Sequence, residues 1–289
     1  MGTDDGEQSS GSAALRIILG AQLRKLREAA EISRAQAGYQ IRGSESKISR
    51  MELGRVGFKP RDIADLLTMY GVCDPGERSN FLDQVAQSNQ PGWWQRYGDL
   101  MPRWLDNYLG LEESASRIQT YELQFVPGLL QTEAYARAVI GQGMPESLRD
   151  DVERRVALRM RRQKVLARPT APQLWTIIDE SVLVRKIGGR EVLLEQIDKL
   201  LELTTMPHIT LQVVGLDITG YAAESPFTLL RFAEPELSNI VYIEYLSGAL
   251  YLEKPDEIET FGRALDRLAV AAETPEHSRQ LLKKRRAEL

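Results

Sequence analysis

Cysteine and histidine are nearly missing from this 289-residue chain, which has one of the first, Cys73, and two of the second, His208 and His277. A lone cysteine excludes an intramolecular disulfide framework and fits a reducing compartment. Neither histidine has a Cys, His or carboxylate partner at metal-ligand spacing, so no metal is expected. Also missing are the G-x-S-x-G elbow and the phosphate-cradling G-x-x-x-x-G-K. Gly188 with Gly189, and Gly141 with Gly143, read instead as turns. The pair Asp179 and Glu180 at a strand end is the nearest approach to acid-base chemistry, and such pairs are common. The chain therefore reads as a non-enzyme without a cofactor. No stretch approaches the roughly 20 apolar residues of a membrane helix. The opening MGTDDGEQSSGS is acidic and polar, unlike a signal peptide, so a cytoplasmic protein with no membrane partner is expected.

What is present is an ordinary globular composition, 43% hydrophobic and 27% charged, in a chain long enough for two domains. The net charge of −4 hides an asymmetry. From Ala14 to Arg61 there are eleven basic and four acidic residues, so this segment is +7 and the remainder −11. A basic module on an acidic body suits a protein of which one part meets phosphates.

Residues 1–13 read as a disordered leader. Leu15, Leu19, Leu23, Leu26 and Ala30 then form one stripe at a 3.6-residue period, with Arg24, Lys25 and Arg27 off it. Ser33 with Gln36 makes a capping box for a short second helix ending near Ile41. Gly43 supplies a turn, Ser44 caps a third helix running to Leu53, and Gly54 ends it. Pro60 and Pro75 open a fourth and a fifth helix. Two short helices about a tight turn are the helix-turn-helix signature. On a wheel of the third helix, Ile48 and Met51 face inward while Ser46 and Arg50 face outward, flanked by Ser49 and Lys47. That arrangement docks in a major groove, with Glu45, Ser46, Ser49 and Arg50 at base edges and Arg34, Arg42, Ser44, Lys47, Arg55 and Lys59 at phosphates. Glu52 sits beside the apolar face, either as a partly exposed carboxylate or as an ion-pair partner of Arg27.

The stretch LRKLREAAEISRAQAGYQIRGSESKISRMELGR, above all SKISRMELGR, resembles the helix-turn-helix of the Cro and C1 class, the xenobiotic-response-element family. The resemblance covers about Leu15 to Gln87. It implies five helices, a reading helix presented by Glu45, Ser46 and Arg50, and a structural pair at Arg27 and Glu52. The family often has glutamine where Arg34 stands and glycine where Arg42 stands. GWWQRY and LEESASRIQTYELQFVPGLLQTEAYARAVI resemble the large C-terminal domain attached to such modules in many actinobacterial regulators, and that resemblance implies a sensing or protein-docking role.

The expected fold is thus an all-α five-helix domain over 14–90, a Trp-rich junction over 91–110, and an α+β domain with a mixed sheet over 111–289. In the last, helices are expected over Leu111–Tyr121, Gln131–Ile140 and Leu148–Ala167. Later helices are expected over Glu191–Leu203, Pro255–Ala272 and Pro275–Arg286, and strands over 174–178, 209–214, 227–232, 240–246 and 249–252. Trp93, Trp94, Tyr97 and Trp104 form a candidate ligand or partner surface, although packing between the units is the commoner use of such aromatics. The arginines of 148–168, and Lys283 to Arg286, read first as solvated surface with internal ion pairs. Tyr221, Tyr242, Tyr245 and Tyr251 read as core or dimer interface. The expected partners are double-stranded DNA bearing an inverted repeat, a second copy of the chain, and a small-molecule effector or small co-encoded protein. The alternative is an antitoxin-like partner of such a protein, whose DNA binding serves autoregulation.

Overall fold

The computed structural model describes residues 12–54, 56–142, 148–217, 223, 225–235 and 237–289. The chain forms two compact units, one built from residues up to Arg96 with Leu105–Ser114 and Phe232–Ser238, the other from the rest. Up to residue 11 the expected leader lies outside the described residues; Ser12 already starts a helix.

The first unit is helical: α1 (Ser12–Ala29), α2 (Arg34–Gln40), α3 (Glu45–Glu52), α4 (Pro60–Met69), α5 (Pro75–Ser88) and most of α6 (Arg103–Ser114). Its core gathers the inward stripes of α1 to α5, with Leu19 and Leu23 of α1, Ala37 of α2, Ile48 and Met51 of α3, Ile63, Leu66 and Leu67 of α4, and Val85 of α5. Burial of this apolar surface holds short helices that would be marginal alone. Gly20 lets α1 and α3 touch backbone to backbone, since a Cβ there would lie 2.5 Å from the Met51 carbonyl oxygen. Gly54, at φ +64, turns the chain out of α3 and against the backbone of Ile17.

The second unit carries a six-stranded sheet: β1 (Arg117–Glu122), β2 (Gln173–Asp179), β3 (Ile209–Val214), β4 (Phe227–Arg231), β5 (Ile240–Tyr245) and β6 (Gly248–Leu252). Its order is β3-β2-β1-β4-β5-β6, parallel among β1, β2 and β3 and antiparallel from β4 onward. Among the described residues the helices α7 (Glu133–Gly141), α8 (Arg149–Arg162), α9 (Arg190–Leu203), α10 (Pro255–Ala271) and α11 (Pro275–Glu288) accompany it. Leu265 and Leu268 of α10 close one face over Tyr121, Ile177, Phe227, Leu229 and Val241.

One expectation is overturned. The helix read over Leu111–Tyr121 is the end of α6 followed by β1, the strand at the centre of the sheet. Ile118, Gln119, Thr120 and Tyr121 are all buried, so β1 shows no polar and apolar alternation, while Ile118, Thr120 and Tyr121 are residue types that favour strands. The helix read to Ala167 ends at Arg162 and continues as a 3-10 turn, Gln163–Ala167.

Candidate nucleic-acid interface

Local chemistry sets the α2-turn-α3 geometry. At Ser33 the hydroxyl accepts from Gln36 N at 3.2 Å, while the Gln36 side chain accepts from Ser33 N at 2.8 Å, closing the capping box. At α3 the Ser44 hydroxyl accepts from Lys47 N at 3.2 Å. Between the two helices the left-handed residue is Arg42, at φ +53, and not Gly43. The turn closes with Gly43 N donating to the Gly38 carbonyl at 2.8 Å.

The faces of α3 separate cleanly. Ile48 and Met51 are buried, whereas Glu45, Ser46 and Arg50 are exposed and Ser49 is half-buried. Among the described residues Arg50 Nε donates only to the Ser46 carbonyl of its own helix, at 3.3 Å. Arg42 and Lys59 are exposed with no partner among the described residues. Arg55 lies outside the described residues, as do Tyr221 and Gly143.

Two of the cations read as phosphate contacts are engaged elsewhere. Arg34 Nε lies 2.8 Å from Glu52 Oε2, and Lys47 Nζ lies 2.6 Å from Asp62 Oδ2 of α4. Glu52 also accepts from Arg27, at 2.5 Å on Oε1 and 3.3 Å on Oε2, and Arg27 Nη1 donates to the Ile32 carbonyl at 2.8 Å. The bond to Glu52 raises the Arg27 pKa above its ordinary value. Burial, with the Glu52 charge behind it, pushes the Tyr70 hydroxyl up to about 12. Three helix starts and ends are thereby tied to one carboxylate beneath the exposed face of α3. Sequence reasoning passed over Tyr39 of α2, which is 87% exposed; a large aromatic outside the apolar stripe was the available signal.

The four aromatics of the Trp-rich segment divide between the units, Trp93 and Trp94 in the first, Tyr97 and Trp104 in the second. Trp93 meets Trp94 edge-on at 5.7 Å, and their indole nitrogens donate to Glu113 at 3.1 Å and Asp106 at 2.5 Å. In the second unit Arg154 forks onto Asp99 at 2.7 and 2.8 Å, Arg285 onto Glu180, and Arg286 onto Asp198. Glu180 also accepts from Leu216 N and Asp179 from Ser181 N, both at 2.9 Å. Among the described residues no group of His, Cys, Asp and Glu could hold a metal, and no helix is long and apolar enough to cross a membrane.

Residues 105–284 match the family model of a domain of unknown function, DUF5753, and residues 18–81 match that of a helix-turn-helix domain. No curated protein and no solved structure gives a match.

Proposed function

Because the chain belongs to the DUF5753 family and carries a helix-turn-helix of the xenobiotic-response-element type ahead of that domain, we propose that it is a sequence-specific transcription regulator reading the major groove with α3. The observation that carries this reading is the division of α3, whose apolar side is locked in the core while Ser46 and Arg50 stand exposed, with no side chain among the described residues to satisfy them. Arg50 forks onto guanine, Ser46 and Ser49 reach neighbouring base edges, and Glu45 accepts from a cytosine amino group. Arg42, Ser44, Arg55 and Lys59 hold phosphates. Arg34 and Lys47 rank behind them, since each must leave a carboxylate to reach DNA. The module spans 14–90. The protein acts in the cytoplasm as a homodimer on an inverted repeat, with half-sites about 34 Å apart along the duplex. The domain over 111–289 supplies dimerisation and the input signal.

The test compares Arg50→Ala and Lys59→Ala on operator and on random DNA across a salt series. Arg50→Ala is expected to cost about 1–3 kcal/mol on operator and little on random DNA. Lys59→Ala is expected to weaken both and to lower the salt slope by about 1. Equal loss on both DNAs for Arg50→Ala would sink its role as a base reader.

A further inference from the structure

Lys47 stands in the first turn of α3, next to the outward Ser46 and one turn before Arg50, yet its charge is taken by another helix. Its backbone N–H donates to the Ser44 hydroxyl at 3.2 Å, and its Nζ lies 2.6 Å from Asp62 Oδ2 in the first turn of α4. Between these ends the stem passes over Gly43. A Cβ on that residue would stand 2.9 Å from Lys47 Cδ, closer than side chains pack. Gly43 does not need to be glycine for its backbone, because its φ is ordinary and the left-handed residue of this turn is Arg42. The missing side chain is what gives the lysine stem its path from α3 across the turn to α4. With side chains 30% and 15% exposed, Lys47 and Asp62 are partly sheltered, and salt screens such a pair less than one in open solvent.

The bridge has two consequences for a helix that reads DNA. Attraction to the phosphate backbone grows with the number of phosphates neutralised, is the same on any sequence, and supplies nearly all non-specific binding. A lysine held against a carboxylate presents almost no net charge to a phosphate, and moving it to one uncovers the carboxylate beside the DNA. Arg42 and Lys59 carry no such counter-charge among the described residues. One further unpaired lysine would add roughly five- to tenfold in affinity at about 0.1 M salt on any duplex. The second consequence concerns operator alone. Asp62 ties the first turn of α3 to the first turn of α4, and hydrogen bonds to base edges, which weaken steeply when misaligned, need α3 at a fixed angle.

We propose that Asp62 is a specificity-determining residue: by holding Lys47 across the turn it keeps that cation off the phosphates and braces α3 for its base contacts. This deepens the reading of α3 as the helix in the groove and rests on it for the distinction between operator and random DNA, though not for the hold on Lys47 itself. Asp62 lowers the sequence-independent part of the affinity and spares the part that Ser46 and Arg50 supply.

The test measures DNA affinity of the full chain across a salt series, on a random-sequence duplex and on the sequence best bound out of a random pool. Asp62→Asn keeps the shape of the side chain and removes its charge. On the random duplex it is expected to bind roughly five- to tenfold more tightly than wild type at about 0.1 M salt, with a salt slope steeper by about 1. On the selected sequence the gain is expected to stay under about twofold, so that the preference for it falls by at least about threefold. A gain of affinity cannot come from a damaged fold. Asp62→Asn combined with Lys47→Met, which removes both charges, is expected to return random-DNA affinity to within about twofold of wild type. Asp65→Asn, one turn along α4 and without an ion-pair partner among the described residues, is expected to change neither affinity by more than about twofold. Unchanged or weaker binding of random DNA by Asp62→Asn overturns the hold on Lys47, as does an equal gain from Asp65→Asn or a full gain in the double variant. An equal gain on both duplexes overturns the role in selectivity. The reading of α3 stands or falls separately, on whether wild type prefers the selected sequence to the random one.

Discussion

Glu52 offers the sharpest test of how α3 is held. Its side chain is 3% exposed and that of Arg27 8%, whereas Arg34, the second guanidinium on the same carboxylate, is 35% exposed. Substituting Glu52→Gln leaves a buried Arg27 charge facing the Ile32 carbonyl and a longer contact to Glu28 at 3.4 Å. Breaking a buried pair from one side costs about 3–5 kcal/mol, because the remaining charge stays desolvated. Gln keeps one acceptor, so about 3 kcal/mol is expected. Arg34→Met, at the half-exposed edge, should cost about 1 kcal/mol or less. Replacing both members of the buried pair, Arg27→Met with Glu52→Leu, should restore much of the loss and give a coupling energy of at least about 2 kcal/mol in a double-mutant cycle. Hydrogen exchange of the amides from Ile48 to Leu53 reads this in the full chain without interference from the second unit. About 3 kcal/mol corresponds to exchange faster by roughly a hundredfold. Acceleration under about fivefold in Glu52→Gln, or strictly additive losses, would refute the claim that this carboxylate ties the helices together.

Arg42 holds a left-handed conformation, which costs an ordinary residue about 1 kcal/mol and glycine almost nothing. Arg42→Gly should therefore melt slightly higher while binding operator and random DNA equally more weakly; a fall in melting temperature would show that the arginine side chain supports the turn. Glu122, raised from 4.5 to about 8, makes stability depend on pH with a fixed sign. The folded unit holds the proton more tightly than the unfolded chain, so stability is greatest below about 4.5 and falls as pH rises through about 8. Glu122→Gln should flatten that fall and stabilise the protein on its alkaline side by about 2 kcal/mol after discounting for solvent screening. Parallel slopes of melting temperature against pH would remove Glu122 as the source.

What could be read from the sequence was what depends on neighbours in the chain. Ser33 with Gln36, Ser44, Pro60, Pro75 and Gly54 mark helix ends through short-range hydrogen bonds and backbone preference, and all stand where those rules put them. β2 to β6 were visible because most are short apolar runs between turn residues. β1 was not, because a strand buried on both faces has no alternation and its apolar residues continue the helical spacing of α6. Arg42 shows the limit of a local rule, since the glycine beside it invited the turn and the left-handed residue is the arginine.

The cations mark a deeper limit. In sequence Arg34, Lys47, Arg42 and Lys59 are equivalent positive charges, and counting them gave the basic module its +7 segment. Folding divides them, because Glu52 and Asp62, distant in the chain, take up Arg34 and Lys47 and leave Arg42 and Lys59 to solvent. The same limit applies to the polar row in the second unit. Thr120, Thr176, Thr228 and Tyr242 are unremarkable in four separate strands, and only the register that aligns them makes one polar row, with Glu122 and Glu244 a step above it. Charge composition tells how much potential a segment has; which charges remain for a ligand is decided by the partners that tertiary structure brings to the others.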